Sequence, residues 1–213
     1  MSKTFTPVFN AYRFYADGTE SGSTPLQNEN VDTSIDVTAG NVIFHLRVRI
    51  QESGGAAGAT TDDWRLQASR NGGAYGDFDA QVGMDANSAS GLVNGSATTN
   101  RATGITDGSG SFVAGKQSDL GATISNHQLT ASGFTEHVWA IFVRTDLGDE
   151  LADGDTFDFR ITLNGGAPGM TNSVTPRVTI VLDSGATQPY YHRTGGVPGM
   201  RIGRPGTIFG RSW

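Results

Sequence analysis

The chain has 213 residues, a formal net charge of −6, 30 glycines and no cysteine. The absence of cysteine excludes a disulfide framework and any thiolate metal site. Glycine at about twice its usual share argues against long helices, where each interior glycine costs roughly 1 kcal/mol relative to alanine. The length suffices for one large β domain, or two small ones, with a real core.

The opening stretch, MSKTFTPVFNAYRF, lacks the apolar centre of a secretory signal. No run approaches the roughly 18 apolar residues of a membrane span. The expectation is a chain made in the cytoplasm with no membrane partner. Period-two alternation then dominates. Strands are expected at 8–15 and 33–37, followed by 42–51, where Phe44, Leu46, Val48 and Ile50 alternate with His45, Arg47, Arg49 and Gln51. Successive side chains leave a strand on opposite faces, so the first set is read as core and the second as a solvated face. Further strands are expected at 63–70 and 74–79. Turn residues separate these runs, as in Ala16–Thr19, Thr38–Asn41 and Arg70–Gly73.

Residues 83–133 break the pattern with a small, polar, Gly/Ser/Thr-rich stretch. A structureless loop of that length is unusual inside a compact domain. Either it holds short strands, with SFVAG (111–115) and GATIS (121–125) as candidates, or a neighbouring molecule orders it. Beyond it, 134–145 contains VWAIFV, apolar on both faces and read as a central strand. Residues 156–163 alternate again after the turn Ala152–Asp155. So do 173–182, where Pro176 removes a ladder donor and points to an edge or a bulge. Eight such strands predict an all-β fold, an antiparallel β-sandwich of jelly-roll or immunoglobulin-like type. The body is placed at 1–182, with 83–133 as a long excursion, and 183–213 as an extended arm.

The motifs that could carry chemistry are weak. Gly110–Gln117 satisfies G-x-x-x-x-G-K, but Gln117 stands where a phosphate loop needs Ser or Thr to hold magnesium, and no helix follows. Asp107–Ser111 and Asp153–Asp155 are fragments of calcium loops without the full ligand set. His45, His127, His137 and His192 have no metal-ligand spacing, and His45 is read as solvated. Arg47, Arg49, Asp158, Arg160 and Arg177 are read as cross-strand partners on wet faces. Trp64 and Trp139 are read as core. No Ser/His/Asp constellation or nucleophile elbow can be assembled. No cofactor and no enzymatic activity is expected.

Several segments are similar to a β-sandwich family of virion structural proteins from tailed bacteriophages: AYRFYADGTESGSTPL, HLRVRIQESGGAAGATTDDWRLQASRNGGAY, NGSATTNRATG with GSGSFVAGK, and ELADGDTFDFRITLNGG followed by VTPRVTIV. Together they cover about Asn10 to Val181. The resemblance implies a virion component, described as structural and without a defined enzymatic site. The expected function is therefore a non-enzymatic phage structural protein, a capsid decoration subunit or a part of the tail or its fibres. Its expected localisation is the virion.

The arm lies outside the resemblance. It carries four arginines against one acid, a local +3 that leaves −9 on the body. Such polarity suits contact between copies, while the acidic body would repel nucleic acid. The arm cannot build a core of its own, and fully extended it could reach roughly 100 Å. It is expected to lie across an adjacent subunit. Tyr190, Tyr191, Ile202, Ile208, Phe209 and Trp213 would fill apolar pockets there, and Arg193, Arg201, Arg204 and Arg211 would pair with acids. The expected partners are further copies of the chain and other virion proteins. The alternative is a glycan-binding adhesin that meets a host-surface sugar through the 83–133 loops, with Tyr75 and Phe78 nearby.

Overall fold

A computed structural model describes residues 2–101, 104–145, 151–165 and 169–182. The described chain is all-β. Its strands are β1 (Pro7–Ala16), β2 (Thr33–Asp36), β3 (Val42–Glu52), β4 (Trp64–Arg70), β5 (Gly76–Asp77), β6 (Met84–Asp85), β7 (Phe112–Ser118), β8 (Thr123–Ile124), β9 (Phe134–Val143), β10 (Thr156–Leu163), β11 (Thr171–Asn172) and β12 (Arg177–Val181), with one 3₁₀ turn at Phe78–Ala80. The alternating runs became strands because β-branched and aromatic side chains suit a pleated, half-buried surface. Both candidates within 83–133 hold strand, as β7 and β8, which favours the first of the two readings of that stretch.

The strands form two six-stranded sheets. The first runs β11-β1-β3-β9-β6, with β7 also on β9; the second runs β2-β12-β10-β4-β5, with β8 on β4. The expectation of wholly antiparallel sheets needs correction, because β1–β11, β7–β9 and β2–β12 are parallel. Parallel neighbours need crossover connections, and the long intervening segments supply them. Thus β7 leaves the first sheet, the chain visits the second as β8, and it returns as β9 alongside β7. Period-two patterning identifies strands but says nothing about their direction.

The inward faces of both sheets contribute to one buried cluster that includes Phe14, Phe44, Leu46, Trp64, Trp139, Phe157 and Phe159. Phe14 of the first sheet and Phe159 of the second sit edge to face with centroids 6.5 Å apart. Each such side chain contributes about 1.5–3 kcal/mol through burial. Trp64 and Trp139 are fully buried, as read from sequence, and their indole N–H groups donate to the His127 and Ala122 carbonyls at 2.9 Å. β9 is buried along almost its whole length and lies between β3 and the β6/β7 pair, the expected central strand.

Pro176 does not mark an edge. It precedes β12, which lies between β2 and β10, and its carbonyl accepts the Phe159 N–H at 2.8 Å. Nearby, β11 pairs with β1 through its backbone, while the Asn172 amide exchanges two hydrogen bonds with Ile161 of β10, at 2.9 and 3.0 Å. One residue thereby ties the two sheets together.

Candidate functional site

The residues read as a wet face on β3 are not wet. His45 and Arg47 are buried, and Arg49 and Gln51 are half-buried. Thr99, Thr106 and Ser109, between β6 and β7, supply some of its partners, and Asn10, Asp17, Glu20 and Glu136 supply others. Alternation tells which side chains share a face, but not whether a later stretch of chain will cover it.

Arg47 anchors that cover. Its Nε donates to Glu136 Oε2 on β9 at 2.5 Å, Nη1 donates to Glu20 Oε1 at 2.6 Å, and Nη2 donates to the Thr99 carbonyl. Glu20 in turn accepts the Thr99 N–H at 3.0 Å. Arg49 donates to the Asn10 side chain and the Thr106 carbonyl, and Gln51 exchanges bonds with Ser109. Arg101 reaches back to Glu20 and Ser23 and stacks over Tyr15, 4.9 Å from the ring centroid. Burial pushes the Glu136 carboxyl above its ordinary range despite the neighbouring Arg47 guanidinium. Burial also pushes Glu20 up, but the Thr99 and Arg47 bonds outweigh it and hold that carboxyl low. This layer spends its charged groups on holding chain to chain.

A second polar cluster lies beside β7, where a histidine of β9 meets one from the loop before it. The His127 and His137 rings stand edge to face with centroids 4.6 Å apart, and His137 also contacts Trp64 and Trp139. Spacing could not disclose this pair, because it forms only when the loop before β9 folds back over β7. Among the described residues no cluster of three or more His, Asp or Glu is placed to hold a metal.

The G-x-x-x-x-G-K match has a packing explanation. Gly115 and Lys116 lie on β7 itself, and a Cβ at Gly115 would run into the Glu136 carbonyl. Gly110 adopts φ +89°, and a Cβ there would strike the Ser132 carbonyl. Gln117 pins the outer loop, accepting the Val93 N–H at 3.0 Å and donating to the Ala97 carbonyl at 2.9 Å. The calcium-like fragment at 153–155 is also committed: Asp155 accepts Arg70, Asn71 and the Ala152 N–H, and Asp153 accepts the Leu182 N–H.

Two hollows open to solvent, each about 250 Å³, share Asn94 and Thr123. Their walls carry Asp77, Asp79, Ser118, Leu120, Lys116 and Ser125. Asp77 faces Arg65 at 3.3 Å, and Asp79 accepts the Ala122 N–H at 3.0 Å. Carboxylates, hydroxyls and an ammonium are the groups that recognise polyhydroxylated ligands. The aromatics expected there are committed elsewhere, since Phe78 is fully buried and Tyr75 lies under Arg160, 4.2 Å from its ring centroid. Cross-strand pairing does hold on β10 and β12: Arg177 binds Asp158 through two bonds of 2.6 and 2.8 Å, and Arg160 donates to Gln67.

No family model, curated protein or solved structure matches this chain. The arm residues Tyr190, Tyr191, Arg193, Arg201, Ile202, Arg204, Ile208, Phe209, Arg211 and Trp213, together with His192, lie outside the described residues.

Proposed function

We propose that the chain is a non-enzymatic structural protein of a phage virion, a capsid decoration subunit or a tail or fibre component. In this reading its two sheets pack face to face as a β-sandwich of jelly-roll or immunoglobulin-like type. The body tiles a particle surface, and the basic arm from Asp183 to Trp213 links it to neighbouring copies. The phage assignment stems from the sequence resemblance.

The observation that carries the structural role is the use of the buried charges. Arg47, Glu136 and Glu20 are joined to one another and to the chain that covers them, an arrangement that favours one rigid shape. Such a body suits repeated, identical contacts. Quantitative mass spectrometry of purified virions tests the assignment: many copies per particle support it, and absence from the particle removes it.

The two hollows that share Asn94, one lined by Asp77 and Asp79 and the other by Lys116, favour a second reading, a module that binds a host-surface glycan by hydrogen bonds rather than by stacking. Glycan-array binding that is lost in Asp79→Ala with the fold intact would favour it over the first.

A further inference from the structure

We infer that the His127–His137 pair is an acid-sensitive latch, which fastens β7 to β9 at neutral pH and lets it go when the imidazoles take up protons.

The latch sits where the β7–β9 ladder breaks. Register shifts between Ala114 and Gln117, leaving main-chain groups that the parallel ladder does not serve. The two histidines serve them. His137 Nδ1 accepts the Lys116 N–H at 3.1 Å, and His127 Nε2 donates to the Ala114 carbonyl at 2.8 Å. Between them Thr98 completes the repair, its Oγ1 accepting the Gly115 N–H at 2.9 Å and its N–H donating to the Gly115 carbonyl at 3.0 Å.

These bonds fix the protonation state. An atom that accepts from an amide must carry a lone pair, so His137 is neutral with its proton on Nε2. A second proton would set an N–H on Nδ1 against the Lys116 N–H, two donors face to face. His127 must carry its proton on Nε2, and its Nδ1 is buried without a partner, so a proton there would also be unsatisfied. Both cations would be buried, which is costly without a paired anion.

Among the described residues, no carboxylate pairs with either ring. On β7, the Lys116 ammonium caps the Ser125 and Asn126 carbonyls and adds positive charge. Just before β4, the Asp62 carboxylate is taken by the Ala59 N–H and the Asn164 amide, and Asp63 by the Asn126 N–H. From β4 and β9 the pair meets the Trp64 and Trp139 rings. His45 differs, because its Nε2 meets the Asp17 carboxylate at 3.0 Å. Burial holds His137 well below the ordinary imidazole range, and the neighbouring His127 adds to this, while the Lys116 backbone bond opposes it and the Lys116 charge reinforces it; burial also lowers His127, against the Ala114 bond. Depressed values in the closed state mean that closure is complete above about pH 6.5, weakens as pH falls from there toward the closed-state values, and levels off below them.

Opening frees more than one strand. Gln117 bonds to Ser96 and Val93, so the loop outside β7 leaves with it.

Amide hydrogen exchange on the full chain from pH 7.5 to 5.0, corrected for the intrinsic pH dependence, tests the latch. Protection at Gly115 and Lys116 should fall below pH 6.5 by up to tenfold per pH unit for each histidine, while Phe159 in the other sheet stays protected. His137→Asn keeps an acceptor near Nδ1, and His127→Gln keeps a donor near Nε2, but neither titrates. The double variant should lose the pH slope and retain protection at pH 7.5. His127→Gln alone should halve the slope, which keeps the test decisive if the double variant does not fold. Flat protection in the parent, a parallel fall at Phe159, or an unchanged slope in either variant would overturn the latch.

Discussion

Replacing Arg47 with methionine probes the covered face most sharply. The substitution preserves much of the side chain's volume but deletes the guanidinium that joins Glu136, Glu20 and Thr99. Glu136 is fully buried and its Oε1 has no partner, so the variant leaves its carboxylate without an ion-pair partner, with only the Arg49 charge to favour the ionised form. Breaking a buried pair by removing one member costs about 3–5 kcal/mol. For a body of this size each kcal/mol moves the melting temperature by about 2–4 °C, so Arg47→Met should melt roughly 6–20 °C below the parent at pH 7.5. The deficit should shrink at pH 5. Burial already raises the Glu136 carboxyl, and without Arg47 its folded-state value climbs further. A group raised in the folded state favours folding as pH falls. Adding Glu136→Leu should recover part of the loss at pH 7.5, because an apolar replacement carries no buried charge. Calorimetry of parent, single and double variants at both pH values reads all three effects. A single variant that melts within 1 °C of the parent, or a deficit that grows at pH 5, would refute the reasoning.

Gly115→Ala should destabilise by about 1–3 kcal/mol, since its Cβ would meet the Glu136 carbonyl, whereas Gly72→Ala has open space but a φ of +73° and should lose less; urea melts compare them. Arg177→Ala removes a solvent-exposed pair with Asp158 and should cost about 0.2–1 kcal/mol, with that loss shrinking in 1 M salt. Asn172→Ala should loosen the link between the sheets, seen as faster hydrogen exchange at Ile161 with Phe14 unchanged.

The body was legible wherever alternation was strong. β3, β9 and β10 fall within a residue or two of their expected bounds, because burying one face of a pleated strand demands a period of two. The twin tryptophans were legible for the same reason. What stayed hidden depends on where distant chain returns. Nothing in the spacing of His45 and Arg47 announces that Asp17, Glu20 and Thr99 will meet them. His127 and His137 meet only because β7 and β9 run parallel with a loop folded between them. Phe78, expected near a sugar-binding surface, is buried in the core, since a short 3₁₀ turn carries it inward. The Gly-Lys motif shows the converse: its glycines are demanded by close backbone approaches that only the folded chain discloses.

The assembly role turns on whether copies hold one another through the residues after Leu182. Native mass spectrometry of the full chain beside a 1–182 truncation measures this directly. An oligomer is expected for the full chain and a folded monomer for the truncation. A full chain that flies as a monomer, or a truncation that keeps the same oligomer, would contradict it.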